Sequence, residues 1–373
     1  MLHRVVEDTS TDTSETIYMS LAARLRQSIR DGAFRPGDML GSEYELARQE
    51  SISRMTVRRA SDLLIKEGLV ERRPGKGLFV RNGSPAPARL VQVVVGNLEW
   101  EPCRQIARGV QSAAREMGIQ VQLYDAHGDA GLDVEVVRGL PDGPASGAVI
   151  VSLHGNLFNE VVYSLKTRGY PFVLVDQRMY DIDVPSVMAN NYSGGYQVGQ
   201  DLLAAGHRRM AFIGDLVANT VRDRLGGFRD AINDAGLPFD RSLTVDLVQP
   251  IDRLGDWSTR IEPAVVDLMK RHNRPTALFC SCDAIARSAY RAVQGLGLSV
   301  PNDLSIVGFD NDPLADWLQP GLTSVAQPFH EMGSAAMQIL QSLITKSSTT
   351  SENRLLPVEL VRRHSVAAPA KHV

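Results

Sequence analysis

The chain has 373 residues, of which 43% are hydrophobic, with 40 Lys and Arg against 43 Asp and Glu and a formal net charge of −3. That length exceeds one ordinary domain and suggests two or three compact units, and the charge excludes a globally basic nucleic-acid binder. Three cysteines, Cys103, Cys280 and Cys282, form no disulfide framework and no CxxC metal pattern, and no run of about 18 apolar residues or apolar leader occurs, so a reducing cytoplasm is expected and membrane spanning is not.

The charge is uneven along the chain. Residues 16–81 hold 13 Lys and Arg against 8 Asp and Glu, while the remainder is acidic by about eight. Residues 1–15, polar and rich in Ser and Thr, read as a disordered tail. Leu21, Leu25 and Ile29 mark a first helix that stops at Asp31-Gly32 before a Phe34-Arg35-Pro36-Gly37 turn. A second helix opens at Ser42, with Glu45 three residues on completing a capping box. After the Glu50-Ser51-Ile52 turn, a third helix spans Ser53–Glu67, with Ser53 as N-cap and Gly68 just past its end. Val57, Ala60 and Leu64 share one side of it, and Arg54, Arg58 and Ser61 another. This is helix–turn–helix spacing, able to present the start of the third helix to a major groove. Leu69–Arg73 and Gly77–Arg81 then read as short strands joined by Pro74-Gly75-Lys76-Gly77, a wing with a cation at its tip.

In order, the PG turn and the SE-x-ELA, SR-x-TVR, EGLV and RR-x-GKG elements resemble the winged helix of GntR-type transcription regulators over nearly all of residues 16–82. Gly41 stands where a Pro is usual and Leu78 where a Thr is usual. The resemblance implies that Arg54, Thr56 and Arg58 sit at the groove, that Ser42, Glu43 and Arg48 lie near backbone or bases, and that Lys76 enters an adjacent groove. The chemistry agrees: Arg binds guanine O6 and N7 bidentately, Thr meets a phosphate or a thymine methyl, and a wing Lys supplies salt-dependent phosphate contact. Arg59 and Arg72 stay open between DNA contact and pairing with Asp62 or Glu71.

Residues 83–89 fall in a Pro- and Gly-rich break that reads as a semi-extended linker. Beyond it, apolar runs of strand length alternate with helical stretches. Strands are expected at Leu90–Val95, Gln120–Tyr124, Gly147–Leu153, Pro171–Val175, Met210–Ile213, Ala277–Cys280 and Leu304–Phe309. Helices are expected at Cys103–Met117, Phe158–Arg168, Tyr192–Ala205, Leu225–Ala235, Ile261–Arg271 and Ala284–Leu296. Strands without polar alternation are buried on both faces, so the fold class is α/β: parallel sheets covered by helices behind an α+β winged helix-turn-helix.

Gly206–Gly214, Arg224–Phe228, Gly255-Asp256-Trp257, Val300–Asp310, Leu322–Val325 and Leu355–Val361 resemble the sensor domain of LacI-type repressors, itself similar to periplasmic sugar-binding proteins. A GntR-type reader joined to such a sensor is similar to the arabinose-repressor arrangement. The resemblance implies a domain over 90–373 in two lobes, the first about 90–188 plus 328–350 and the second about 189–327 plus 351–366. It places the effector between them, at the carboxyl ends of strands, on Asp176, Arg224, Trp257, Asp310 and Gln327. Trp100, after the first strand, is a second stacking candidate. Carboxylates and an amide bond vicinal hydroxyls, Arg offers a fixed fork of donors, and an indole packs on the C–H face of a sugar ring. Plainer roles stand beside these: Asp176 capping a turn, Arg224 pairing with Asp223, Asp310 in an Asx turn, Trp100 and Trp257 packing, and Gln327 in a crossover hydrogen bond. Cys282 occupies a position where the family usually has an Asn able to touch the ligand.

Together these features lead to the expectation of a cytoplasmic, homodimeric repressor of carbohydrate-use genes that binds double-stranded operator DNA and a small sugar-like effector, an arabinose-like pentose first, with no cofactor, metal or membrane. The alternatives are a nucleoside or other small polar effector in the same role, or an α/β enzyme. Against the enzyme stand the missing GxxxxGK[ST], GxGxxG, GxSxG and HExxH motifs, and His127, His154 and His207 are scattered without metal spacing.

Overall fold

The computed structural model describes residues 10–30, 32–81, 90–151, 159–179, 181–247, 258–345 and 352–370, which separate into two compact units at Arg89/Leu90. The first contains α1 (Ser10–Arg30), β1 (Met39–Gly41), α2 (Glu43–Gln49), α3 (Arg54–Lys66), β2 (Val70–Arg73) and β3 (Gly77–Val80). The strands form an antiparallel sheet in the order β1-β3-β2. Leu21 of α1, Leu46 of α2, Val57, Ala60 and Leu64 of α3, and Val70, Leu78 and Val80 of the sheet close one core. The helix α1 opens at Ser10, so Ser10–Glu15 belong to it rather than to the expected tail. The three-residue β1 is a pairing partner that the sequence pattern does not announce.

The second unit is two-lobed. In lobe 1 lie β4 (Leu90–Val95), α4 (Glu101–Glu116), β5 (Gln120–Asp125), α5 (Ala130–Gly139), β6 (Ala148–Val151), α6 (Asn159–Thr167), β7 (Phe172–Val175) and β8 (Ser186–Ala189). The chain passes to lobe 2 through α7 (Asn191–Ala204), β9 (Met210–Gly214), α8 (Asn219–Asp234), β10 (Thr244–Asp246), α9 (Ser258–Met269), β11 (Ala277–Cys280), α10 (Asp283–Gly295), β12 (Ser305–Asp310), α11 (Leu314–Trp317) and β13 (Thr323–Ala326). It returns to lobe 1 as α12 (Phe329–Ile344) and β14 (Asn353–Leu356), and ends in lobe 2 with β15 (Glu359–Val361).

Both sheets have six strands. Lobe 1 is parallel throughout in the order β14-β8-β7-β6-β4-β5, and lobe 2 runs β10-β9-β11-β12-β13-β15 with only β15 antiparallel. The central strands carry no polar alternation because helices cover both faces: Val149, Val173 and Val175 face a core shared with α4 and α12, while Ile150, Phe172 and Leu174 face one shared with α5 and α6. The expected lobe limits need one correction. Residues 353–356 extend the sheet of lobe 1, not lobe 2, since Leu356 pairs in parallel with Ala189 and its side chain packs on the lobe 1 core. Among the described residues, no helix is long and apolar enough to cross a membrane.

Candidate operator-reading surface and effector cleft

The reader helix is fixed at its start. Ser53 Oγ accepts from the Thr56 amide at 3.1 Å and lies 2.8 Å from the Thr56 hydroxyl. Thr56 is thus tied to the cap, with its methyl left for a partner. The preceding helix closes the expected capping box: the Ser42 amide donates to Glu45 Oε2 at 2.8 Å, and the Glu45 amide to Ser42 Oγ at 3.2 Å. This occupies the Ser42 hydroxyl. Those amide and hydroxyl bonds also hold the Glu45 carboxyl below the usual carboxylate range.

Burial of Val57, Ala60, Ser61 and Leu64 turns the opposite side of α3 outward, correcting the expected place of Ser61 on the cationic face. Its hydroxyl donates back to the Val57 carbonyl at 2.8 Å instead. Arg48, Arg54, Arg58 and Arg59 are exposed, as is Lys76 in the tight turn between β2 and β3. Arg58, Arg59 and Lys76 form no ion pair among the described residues, whereas Arg54 stands 3.8 Å from Glu43. Arg72 lies 2.8 Å from both Glu43 and Asp62, which settles its pairing and holds its guanidinium above the ordinary value. Glu43 therefore acts as a strut between Arg54 and Arg72.

In the second unit, Asp310 ends β12 at φ 108° and Asp176 follows β7 at φ 55°, two backbone conformations that side chains rarely adopt. Arg224 projects from α8 and is almost fully buried. Its Nε donates to Asn191 Oδ1 at 2.7 Å, its Nη1 donates to the Ser281 carbonyl and lies 3.6 Å from Asp310 Oδ1, and its guanidinium carbon rests 3.8 Å from the centroid of Phe309. Gln327, in the crossover after β13, donates from Nε2 to Asp310 Oδ1 at 2.7 Å. Two buried acceptors, Asp176 Oδ1 and Gln327 Oε1, receive no hydrogen bond from any described residue.

Close helix packing makes room for this. A Cβ at Gly195 of α7 would lie 1.9 Å from the Arg224 carbonyl oxygen, and one at Gly227 of α8 would lie 2.0 Å from that of Tyr192. Beside Asp310 opens a cleft of about 230 Å³, lined by Glu101 and Gln105 of α4, Asp310 and Asp312, Gln327 of the crossover and His330 of α12.

Arg224, Asp310 and Gln327 thus touch one another directly, and Asp176 lies within electrostatic reach of Arg224 and Asp310. Trp100 begins α4, where its ring packs against the lobe 1 core; no hydrogen bond joins it to the Asp310 cluster among the described residues. Trp257 lies outside the described residues.

Residues 17–80 match the bacterial regulatory proteins of the gntR family, and residues 200–366 match the periplasmic binding protein-like domain. The chain is similar to the HTH-type transcriptional regulator DegA of Bacillus subtilis, 30% identical over 267 residues that cover 70% of this chain and 76% of that one. The chain belongs to the LacI-type transcription regulators, with a GntR-type reader. The regulator is also similar, nearly end to end, to the arabinose metabolism transcriptional repressor of Geobacillus stearothermophilus, 29% identical over 358 residues that cover 93% of this chain and 97% of the relative. Its fold is that of the transcription regulator CcpA of Lactococcus lactis, with a TM-score of 0.67 at 24% identity over 75% of this chain and 99% of the other.

In the regulator's cleft, burial pushes the Asp310 carboxyl up to about 7 and the Asp176 carboxyl up to about 6, against the pull of Arg224 on both and of the Gln327 hydrogen bond on Asp310. Cys282 sits at the start of α10 near Asp310 and Arg224, and burial pushes its thiol up to about 12. Supporting residues that sequence reasoning missed are Asn191, the Ser281 carbonyl, the Phe309 ring and Asp283. Asp283 accepts from the Ser324 hydroxyl at 2.6 Å and from the Asp312 amide at 2.8 Å, fixing the loop after Asp310. The available signal is the polar Asn190-Asn191 and Ser281-Cys282-Asp283 stretches directly after apolar strands.

Proposed function

We propose that this regulator binds operator DNA as a homodimer in the cytoplasm and is released from it by a small neutral sugar held between the lobes, an arabinose-like pentose being the first candidate. The observation that carries the reading is Arg224, locked beside Asp310 with donors fixed in place, while Asp176 Oδ1 and Gln327 Oε1 remain buried acceptors without a described partner. A cation flanked by two carboxylates and an amide suits vicinal hydroxyls and disfavours an anion. The end-to-end likeness to a repressor named for arabinose metabolism supports the choice of sugar.

In this reading Asp176, Arg224, Asp310 and Gln327 bond the hydroxyls, and Trp100 and Trp257 offer ring faces. Closing of lobe 1 on lobe 2 brings Asp176 toward Arg224. In the reader, Arg54, Arg58 and the Thr56 methyl meet the major groove; Arg48 and Lys76 meet phosphates, and Ser42 and Glu43 hold the frame. Two readers in a symmetric dimer match a two-fold operator. The sugar's leverage equals its differential affinity for the two forms, typically about 1–3 kcal/mol.

Thermal denaturation of the full chain against pentoses, hexoses, disaccharides and nucleosides tests the effector. A sugar at about 100 Kd stabilises the native state by about 2.7 kcal/mol. A shift with a neutral pentose, accompanied by weaker operator binding, is expected. A shift with nucleosides alone, or with no compound in the panel, overturns the sugar reading.

A further inference from the structure

The amino-terminal end of the lobe 2 sheet carries a second concave site, on the side of the sheet away from the carboxyl ends that form the cleft. Arg208-Arg209 before β9, His272-Asn273-Arg274 and Thr276 before β11, and Pro369-Ala370 near the end of the described chain line an open cavity of about 400 Å³. Its wall is rigid. The buried His207 ring bridges Thr276 Oγ1 at 2.9 Å and Ser305 Oγ at 3.1 Å, and Arg209 donates to the Asn273 carbonyl and to Asp240 at 3.0 Å.

The cations outnumber their partners. Arg209 is matched by Asp240, and Arg274 reaches Asp303 only at 3.4 Å. Arg208 bonds two carbonyls, those of Leu203 and His207, through Nη1 alone, and has no carboxylate within ion-pair distance among the described residues. His272 is exposed and makes no hydrogen bond or ion pair among them, and Lys270 and Arg271 flank it. A basic pocket on an otherwise acidic unit needs a reason.

We propose that this basal cavity binds a small phosphate-bearing anion, independently of the effector cleft. Guanidinium forks match phosphate geometry bidentately, and the exposed His272 ring adds a donor of the right kind, while the Thr276 hydroxyl is held in the wall by the Arg209 carbonyl and His207. The cavity has the dimensions of a small-ligand site and is concave rather than flat, which favours a phosphate ester or inorganic phosphate over a nucleic-acid duplex. The two carboxylates of the cleft would repel the same molecule.

Isothermal titration of the full chain at fixed ionic strength, with pyrophosphate and separately with a sugar phosphate, tests this. Saturable binding is expected, weakened about tenfold or more by Arg208→Gln with His272→Gln. Both positions are exposed, so folding should survive, and circular dichroism checks it. The binding should persist in Arg58→Ala and Asp310→Asn. Tighter binding of pyrophosphate would identify an inorganic anion as the ligand class, and tighter binding of the ester an organic one. Binding that fails to saturate, survives the basal variants, or disappears with Arg58→Ala and so belongs to the reader, would overturn the proposal.

Discussion

The guanidinium carbon of Arg224 lies 3.8 Å from the centroid of the Phe309 ring, so the cation that faces Asp310 rests on the aromatic core of its own lobe. Phe309 in turn lies 6.4 Å from Phe279, which meets Phe212 and Phe228 edge-on at 5.2 and 5.3 Å. The hydrophobic core thereby sets the height and angle of the one cation in the cluster. Arg224→Lys keeps the charge but loses the fork that spans Asn191 and Ser281. We expect at least tenfold weaker effector binding by calorimetry, with operator affinity unchanged. Operator binding lost in parallel would show that the substitution disturbs the whole chain.

The raised carboxyls give a pH signature. Asp310 titrates near 7 and Asp176 near 6 in the folded chain, against an ordinary value of 3.8. Between these values the native state keeps protons that the unfolded chain has released, so stability falls as pH rises from about 4 to about 7, by on the order of a few kcal/mol. Chemical denaturation from pH 5 to 8 should show a smaller loss for Asp310→Asn than for the parent. Equal losses would place the titration elsewhere.

Gly195→Ala should act through the backbone of α8 rather than through a cleft side chain. The added carbon would stand 1.9 Å from the Arg224 carbonyl oxygen, forcing α8 away from α7. Overpacking of this kind costs about 1–3 kcal/mol. A lower thermal midpoint together with weaker effector binding is expected, because the displaced helix carries Arg224. A lower midpoint with normal effector affinity would mean that α8 tilts without moving its arginine.

Much of this was legible in the residues. Leu90–Val95 and Ala277–Cys280 match their strands end for end, because a strand covered on both faces reads as a nearly continuous apolar run, interrupted in the first only by Gln92. The capping boundaries at Ser42 and Ser53 were equally readable, since a hydroxyl that satisfies a helix amide leaves a local mark. The edge strands β1 and β14 were not: each gets its identity from a partner far along the chain, Phe79 for Met39 and Ser186 for Asn353. Arg224 and Asp310 were reached through the resemblance of their flanking motifs to the LacI-type sensor. Their supports, Asn191 and the Ser281 carbonyl, are tertiary neighbours that spacing does not encode.

The reader separates two arginines of similar sequence context. Arg58 has no ionic partner among the described residues, whereas Arg72 is braced by Glu43 and Asp62. Arg58→Ala should lower operator affinity and reduce the salt slope by about one. Arg72→Ala should change affinity less and leave the slope nearer the parent value. Fluorescence anisotropy over a salt series measures both, and equal slopes for the two variants would contradict the assignment.

The return of α12 and β14 to lobe 1 after lobe 2 has been traversed bears on how the chain is made. Phe329, Met332, Ala336 and Leu340 fill the same core as Val91 and Ile106, residues more than two hundred positions earlier. A ribosome delivers the reader's whole core within the first 80 residues, but neither lobe is complete until about residue 361. For most of its synthesis the nascent protein can therefore hold a finished DNA-reading fold tethered to a sensor that has yet to close its sheets.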